Sequence, residues 1–495
     1  MRERIGRIPS WAITFRRMGD GTAWDRRDAA IAALLALVAG ALRAWRFTSP
    51  HRLYFDETFY IPDARLYLHG PGPGAGSEVT ALHPPLGKWL LAAGIQIFGD
   101  RPGGWRITAL VVGTLAVPLL YLLARRLLGS RFYAAVAAGF LAFDFLAFVQ
   151  SRIAMLDVFA FTLGLASVTC AVSELQGAGG HEKRTAWRLG AGILGGAAVA
   201  AKWSGLYMLV LAVGLIVLGS LRRRRGEVGD RGGRLRSEIG SLLLFLVLIP
   251  IVVYCLTFAG RVDGSLLAVP WQQGSWVRSF LHLQLKDMLL PSLHLRGIHP
   301  SMSPAWSWPL DKRPVEFSTG PHEGRILAFG DPFLWWPALA ALAYLAVRVA
   351  RGRGKRGCDG VVLAGFVAAW APWLLLGQER SFTFLYYFLP AVPFLYLALA
   401  RFCQTVPRGA GRAVAAGLLV VSAVAFSLYF PLLTGRGISP AYESRLLLFE
   451  DCKQRVALPS YVIPTKNSTV VRRGGEERTV RLEPPTPPPV GWCWR

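Results

Sequence analysis

The chain has 495 residues, of which 53% are hydrophobic and only 17% charged, with a formal net charge of +25. Several apolar runs approach the ~20 residues that cross a ~30 Å hydrocarbon core, which excludes a soluble globular domain. The basic residues gather in short connections between those runs, as cytoplasmic anchoring requires, so the charge does not indicate nucleic acid.

Residues 1–27 are polar and basic. The run that follows is too long for the h-region of a signal peptide and is expected to stay as a span. Eleven spans are predicted, near 28–47, 105–124, 132–150, 154–173, 187–201, 205–220, 239–258, 329–348, 359–376, 382–400 and 411–432. The expected architecture is an all-α polytopic membrane domain over 28–432, with a tail over 433–495. Arg125-Arg126, Lys183-Arg184, Arg222 to Arg225, Arg348 to Arg356 and Arg401 to Arg412 fall on alternate connections. The positive-inside rule then puts the N-terminus in the cytoplasm and the C-terminus outside.

Two outer loops are long, 48–104 and 259–328. In the first, Pro84-Pro85 predicts a helix over 84–98, with Leu86, Leu90, Ala93 and Ile97 on one face, lying along the membrane. The second is rich in aromatics and histidines, among them Trp271, Trp276, His282, His294, His299, Trp306, Trp308 and His322. In the tail, Gly474-Gly475 between β-prone arms predicts a hairpin over Thr469 to Val480. Asn467-Ser468-Thr469 matches an N-glycosylation pattern. Six cysteines are scattered without metal-ligand spacing, and Cys170, Cys255 and Cys403 are expected to pack as small hydrophobes. Whether Cys452 and Cys493 pair is left open.

The chemistry centres on Asp56-Glu57, just beyond the first span. Such a pair is either solvated or ion-paired, or it acts as a base; its aromatic surroundings favour an enclosed base. Arg43, in the last turn of the first span, either snorkels to headgroups or reaches Glu57 or an anionic substrate. Arg152 lies in a very short outer connection, against the positive-inside trend, and Asp157 lies about one turn into the next span. They form either a structural pair or a phosphate grip. Asp144 is a further acid within a span, without a nameable partner. Lys88 and Lys202, each an ordinary span-capping residue when taken singly, add two outer cations. Arg43, Lys88, Arg152 and Lys202 would thus share one face with the carboxylates, as a lipid phosphate leaving group requires. The histidines lack the spacing of a metal site, so no metal is expected.

The order Phe55-Asp56-Glu57, His83-Pro84-Pro85-Leu86-Gly87-Lys88, Ser151-Arg152-Ile153-Ala154-Met155-Leu156-Asp157 and Lys202-Trp203-Ser204-Gly205 resembles the bacterial protein O-mannosyltransferases. His299-Pro300-Ser301 to Trp308-Pro309-Leu310 and Phe384 to Phe394 extend the likeness over about residues 30–432. The tail ending Trp492-Cys493-Trp494 is similar to actinobacterial members. The resemblance implies a GT-C glycosyltransferase fold, typically of eleven spans, in a bacterial cell membrane with its site facing outward. It implies polyprenyl-phosphate mannose as donor, Ser/Thr hydroxyls of exported proteins as acceptors, and no required cofactor. The protein-export translocon is a candidate partner. By the same resemblance Asp56 is the base, Glu57 holds the acceptor or the site, and Arg152 binds the donor phosphate. Lys88, Lys202 and Arg43 would assist with the phosphate, and His83, Asp157 and His299 would support the site or the acceptor. The loop 259–328 is too short for the MIR domain of eukaryotic relatives.

A polyprenyl phosphate is a good leaving group and needs cations, whereas a hydroxyl is a poor nucleophile and needs a base. One carboxylate and a cation cluster therefore suffice for a displacement with inversion. The alternatives are a GT-C enzyme acting on a lipid or glycan acceptor, and a transporter of lipid-linked sugars. The latter leaves the rim carboxylates unexplained.

Overall fold

The computed structural model describes residues 24–69, 82–177, 180–225, 231–258, 276–295, 299, 301–319, 324–352, 356–377, 380, 382–447, 469–473 and 476–480. Trp271, His322, Asn467, Cys452 and Cys493 lie outside the described residues.

Each predicted span is met by helix. The first helix, α1 (Arg26–Ala44), starts on a reciprocal capping box between Asp25 and Asp28, which satisfies two orphan N–H groups at once. The long α4 (Pro102–Leu128) begins with proline in its first turn and ends on Gly129 at φ +68, the left-handed stop that glycine adopts without cost. Next come α5 (Arg131–Phe143), α6 (Phe145–Gln150), α7 (Asp157–Leu175), α8 (Gly180–Ala201) and α9 (Gly205–Arg225). Then α10 (Arg231–Leu243) passes through a π-turn at Leu244–Leu248 into α11 (Ile249–Leu256). The C-terminal half adds α14 (Pro332–Ala350), α15 (Arg356–Leu376), a 3-10 segment (Leu385–Ala391) running into α16 (Val392–Thr405), and α17 (Arg408–Thr434). Among the described residues, eight helices are long and apolar enough to cross a membrane. At the expected positions of the other spans stand α1, the 13-residue α5 and α8.

The expected span 132–150 is two helices. The chain breaks at Asp144, whose extended backbone ends α5 and whose carboxylate accepts the Ala147 N–H at 2.7 Å to start α6. Asp144 also takes Trp335 Nε1 at 2.9 Å and the Tyr396 hydroxyl. Its partners therefore come from α14 and α16, about 190 and 250 residues away in sequence, which the local sequence could not reveal.

The outer loops hold more structure than expected. The first contains α2 (Glu57–His69) and α3 (Leu86–Phe98). On α3 the inward face is Lys88, Leu91, Ala92 and Ile95, while Ala93 and Ile97 are exposed. Of the expected stripe, Ala93 and Ile97 thus face away from the protein, while Leu86 and Leu90 are part-buried. The second loop contributes α12 (Trp276–His282), a π-turn (Leu283–Leu289), α13 (Leu290–Leu293), and a small antiparallel pair, β1 (Val315–Ser318) with β2 (Ile326–Ala328).

The centre of the molecule is α7 together with the 3-10 segment and α16, the most deeply buried of the candidate spans. A second, smaller apolar cluster joins Tyr60, Ile61 and Ala64 of α2 to Leu91 and Ile95 of α3, and to Leu156 and Phe159. That cluster seats the outer loop on the bundle. The expected boundary at residue 433 falls inside packed structure. Past Gly435, a second left-handed stop, α18 (Pro440–Leu446) returns to the body, Leu446 and Leu447 join the core, and Glu443 pairs with Arg325 at 3.0 Å. Beyond it, β3 (Thr469–Arg473) and β4 (Glu476–Val480) form the hairpin expected around Gly474-Gly475.

Candidate active site

Asp56 precedes the first turn of α2, and its backbone carbonyl accepts the N–H groups of Phe59 and Tyr60. The preceding Phe55 sits at φ +50, a left-handed conformation unusual for a bulky residue. Such strain concentrates where the surroundings must hold one geometry. Phe55 is held by stacking on Phe317 at 4.4 Å and by edge contacts with Tyr386 and His299.

Asp56 is half-buried and faces the Tyr60 hydroxyl at 3.5 Å. Burial pushes its carboxyl pKa up to about 6. Lys202 pulls the value down and Asp157 pushes it up. Lys202 and Asp157 form a buried pair at 2.7 Å, with the ammonium 4.7 Å above the Tyr387 ring and 5.8 Å from that of Tyr386. Of the two readings of Arg152 and Asp157, the structural pair is not formed: Asp157 takes Lys202, from the turn that joins α8 to α9. His83 contacts the Tyr60 ring edge-on, and burial, followed by Lys202, Lys88 and Arg380, holds its pKa well below the usual value. It therefore stays neutral at physiological pH. His299 packs edge-on against Phe384 at 5.3 Å, and burial lowers its pKa to about 4.

Glu57 turns the other way, into the protein. It receives Arg106 through two hydrogen bonds at 2.7 and 2.9 Å, and both side chains are fully buried. Oε1 also accepts the Ala154 N–H at 3.0 Å, two residues past Arg152. Arg106 spends its remaining capacity on the carbonyls of Phe47, Pro50 and Arg52. One carboxylate and one guanidinium thus tie α2, the 47–52 turn, α4 and the 152–156 turn together. Arg106 escaped the sequence reading, although a signal existed: it is a basic residue at the outer end of a span, as Arg152 is.

The four expected cations do not form one cluster. Lys88 is fully buried and pairs with Asp63 at 3.0 Å, so it anchors α3 to α2. Arg43 donates to Ser151 Oγ at 3.1 Å and to the carbonyls of Ala39, Ala142 and Leu141, which braces the α5–α6 break. Arg152 donates one nitrogen to the Trp45 carbonyl at 2.8 Å and lies 4.8 Å over Phe148. Arg106 and Arg46 lie near enough to act on it electrostatically. Of the four, Lys202 acts on Asp56 directly. Arg380, absent from the sequence reading, borders the site by donating to the Tyr387 hydroxyl at 3.1 Å and to the Ser292 carbonyl at 2.9 Å.

The helical body, with eight apolar helices of spanning length among the described residues, carries a half-buried acid beside a lysine and aromatic rings on its loop face, and its fold is of the GT-C kind. Its fold matches the S. cerevisiae protein O-mannosyltransferase Pmt1-Pmt2 complex bound to the sugar donor, with a TM-score of 0.75 at 14% identity, over 86% of this chain and 92% of that one. ArnT from Cupriavidus metallidurans in the apo state is similar at a TM-score of 0.51 and 15% identity, over 85% of this chain and 67% of that one. Residues 33–262 match the family described as dolichyl-phosphate-mannose-protein mannosyltransferase. Residues 276–450 match the C-terminal four-transmembrane region of protein O-mannosyltransferase. The polyprenol-phosphate-mannose–protein mannosyltransferase of Mycolicibacterium smegmatis is 30% identical, over 88% of this chain and 91% of its own. The protein of that name from Corynebacterium glutamicum is 27% identical, over 85% and 93%. The chain belongs to the protein O-mannosyltransferase family.

Proposed function

We propose that this protein transfers mannose from polyprenyl-phosphate mannose to Ser/Thr hydroxyls of exported proteins, at the outer face of a bacterial cell membrane. The observation that carries this reading is the match of residues 33–262 and 276–450 to this family, with Asp56 set near the buried Lys202–Asp157 pair among the rings of Tyr60, Tyr386 and Tyr387.

Asp56 takes the proton from the acceptor hydroxyl as oxygen attacks the anomeric carbon. The lipid phosphate departs toward Lys202, whose charge offsets the negative charge that develops on it. Asp157 holds the ammonium in place and sets how much of its charge is available. Displacement from the face opposite the phosphate inverts the anomeric carbon, from β-linked donor to α-linked product. Neutral His83 and His299 and the rings of Phe55, Phe384 and Tyr386 suit a hydroxyl-bearing peptide or sugar. Eleven spans, with the N-terminus inside and the C-terminus outside, give this site its outward orientation.

Membranes containing the protein, supplied with polyprenyl-phosphate mannose and a Ser/Thr peptide, should yield α-mannosylated peptide. A β-linked product would remove the inverting mechanism. Mannose appearing on lipid or glycan instead of peptide would favour the other acceptor class.

A further inference from the structure

Phe317, on β1, touches two groups that fix the Asp56 carboxylate. It stacks on Phe55, the residue before Asp56, and meets the Tyr386 ring edge-on at 5.8 Å. The Tyr386 and Tyr60 hydroxyls both hydrogen-bond to that carboxylate. A bulky residue at positive φ persists only where its surroundings impose it. Phe317 lies closer to Phe55 than His299, Phe384 or Tyr386 does.

A lone two-stranded pair is marginally stable at best, and β1–β2 is short and irregular between Glu316 and Ser318. It is fixed from two directions. From the turn before Asp56, Arg52 donates to Ser318 Oγ and to the Thr319 carbonyl, each at 3.0 Å. From the other direction come residues beyond the last span. Arg325 donates Nε to Glu316 at 2.7 Å and Nη1 to Glu443 of α18 at 3.0 Å. Both Arg325 and Glu443 are buried, so the pair is little screened. The Gly324 N–H donates to the Gly435 carbonyl at 3.1 Å, and a Cβ at Gly324 would lie 2.3 Å from the Arg436 carbonyl oxygen. The two backbones are thus in contact. In turn α18 is fastened to α17: the Tyr429 hydroxyl donates to the Leu446 carbonyl at 3.1 Å, and that of Tyr442 to the Leu428 carbonyl at 3.0 Å.

We propose that the segment beyond the last span, residues 435–447, is a working part of the site: through Glu443, Arg325 and β1 it holds Phe317 against Phe55 and Tyr386 and so positions the Asp56 carboxylate. This rests on the reading of Asp56 as the base in mannosyl transfer. Phe317, Arg325 and Glu443 are positioning residues, since each acts on Asp56 through a neighbour. The segment is then no mere appendage to the membrane domain, and its loss is felt in the chemical step.

Steady-state transfer from polyprenyl-phosphate mannose to a Ser/Thr peptide, by the full chain in nanodiscs, tests this with Phe317→Ala, Glu443→Ala and Glu443→Gln. Glu443→Ala leaves Arg325 paired with Glu316, so the hairpin keeps its ion pair and loses its tie to α18. Glu443→Gln keeps an acceptor for Arg325 Nη1. A misplaced base should lower kcat by about 10²-fold in Phe317→Ala and about 10-fold in Glu443→Ala, with the donor KM within about twofold of wild type. Glu443→Gln should restore most of the rate. The midpoint of the pH–rate profile should move down in both alanine variants, because water then reaches a carboxyl whose pKa burial lifts. Wild-type kcat in either alanine variant would overturn the proposal. So would a lower kcat with an unmoved midpoint, which a smaller folded fraction alone produces, or a raised donor KM at constant kcat. If wild type mannosylates a lipid or glycan in place of the peptide, the acceptor reading fails, and the same variants compared on that acceptor decide the proposal. No mannose transfer by wild type to any acceptor would overturn both.

Discussion

Asp56, the proposed base, has a pKa set by opposing neighbours. Burial lifts its carboxyl to about 6, Lys202 restrains the rise and Asp157 adds to it. The deprotonated form is the working one, so transfer should rise with pH through about 6 and then level off. Asp157→Asn removes a like charge and frees Lys202 from its pair, and both effects lower the Asp56 pKa. The midpoint of the pH–rate profile should move down in that variant; a midpoint that moves up or stays would detach Asp157 from the base. Lys202→Ala should move it up, with a fall in rate that exceeds the loss of donor binding, because the lysine acts mainly on the departing phosphate. At this scale the sequence was informative in part. Two adjacent acids among aromatics pointed to a base, but adjacency alone could not say which one. The structure separates them: Asp56 faces the Tyr60 hydroxyl, while Glu57 faces Arg106 inside the protein.

Helices and turns are held in relation by buried ion pairs that each cross the sequence. Glu57–Arg106 joins α2 to α4, Lys88–Asp63 joins α3 to α2, and Lys202–Asp157 joins the α8–α9 turn to α7. Removing one partner leaves an uncompensated charge in the interior, at a cost of about 3–5 kcal/mol. Arg106→Ala should therefore lower thermal stability in detergent far more than Arg52→Ala, whose side chain is exposed. Equal melting temperatures for the two variants would contradict the clamp. Arg106→Ala should also abolish transfer, since the 47–57 turn and the Arg152–Ala154 turn lose their common tie. Element positions were largely legible, because span length and apolarity are local properties. The hairpin over Thr469 to Val480 was legible for the same reason, through its Gly-Gly turn. The α5–α6 break, α2 and the β1–β2 pair were not, because tertiary partners hold them: Trp335 and Tyr396 for the break, α3 and α4 for α2.

In the whole molecule the candidate site sits among the loops at one end of a helical bundle. Basic connections on alternate sides predict that this end is outside the cell. Single cysteines placed at Arg351 and Arg436, both exposed, should differ toward a membrane-impermeant thiol reagent added to intact cells. The second should react and the first should not; the reverse pattern would invert the topology and place the site in the cytoplasm. Cation placement was the part of the global arrangement that sequence resolved least. Sidedness brought Arg43, Lys88, Arg152 and Lys202 to one face, but their individual partners are tertiary: Ser151 for Arg43, Asp63 for Lys88, the Trp45 carbonyl for Arg152 and Asp157 for Lys202. The central claim is that Asp56 deprotonates a hydroxyl acceptor of mannose. Its most direct test is the rate of mannose transfer from polyprenyl-phosphate mannose to a Ser/Thr peptide by Asp56→Asn, compared with wild type at saturating donor. The expected result is a fall of about 10²–10⁴-fold, as loss of a general base entails, with an unchanged melting temperature. Transfer within a few-fold of wild type would contradict it.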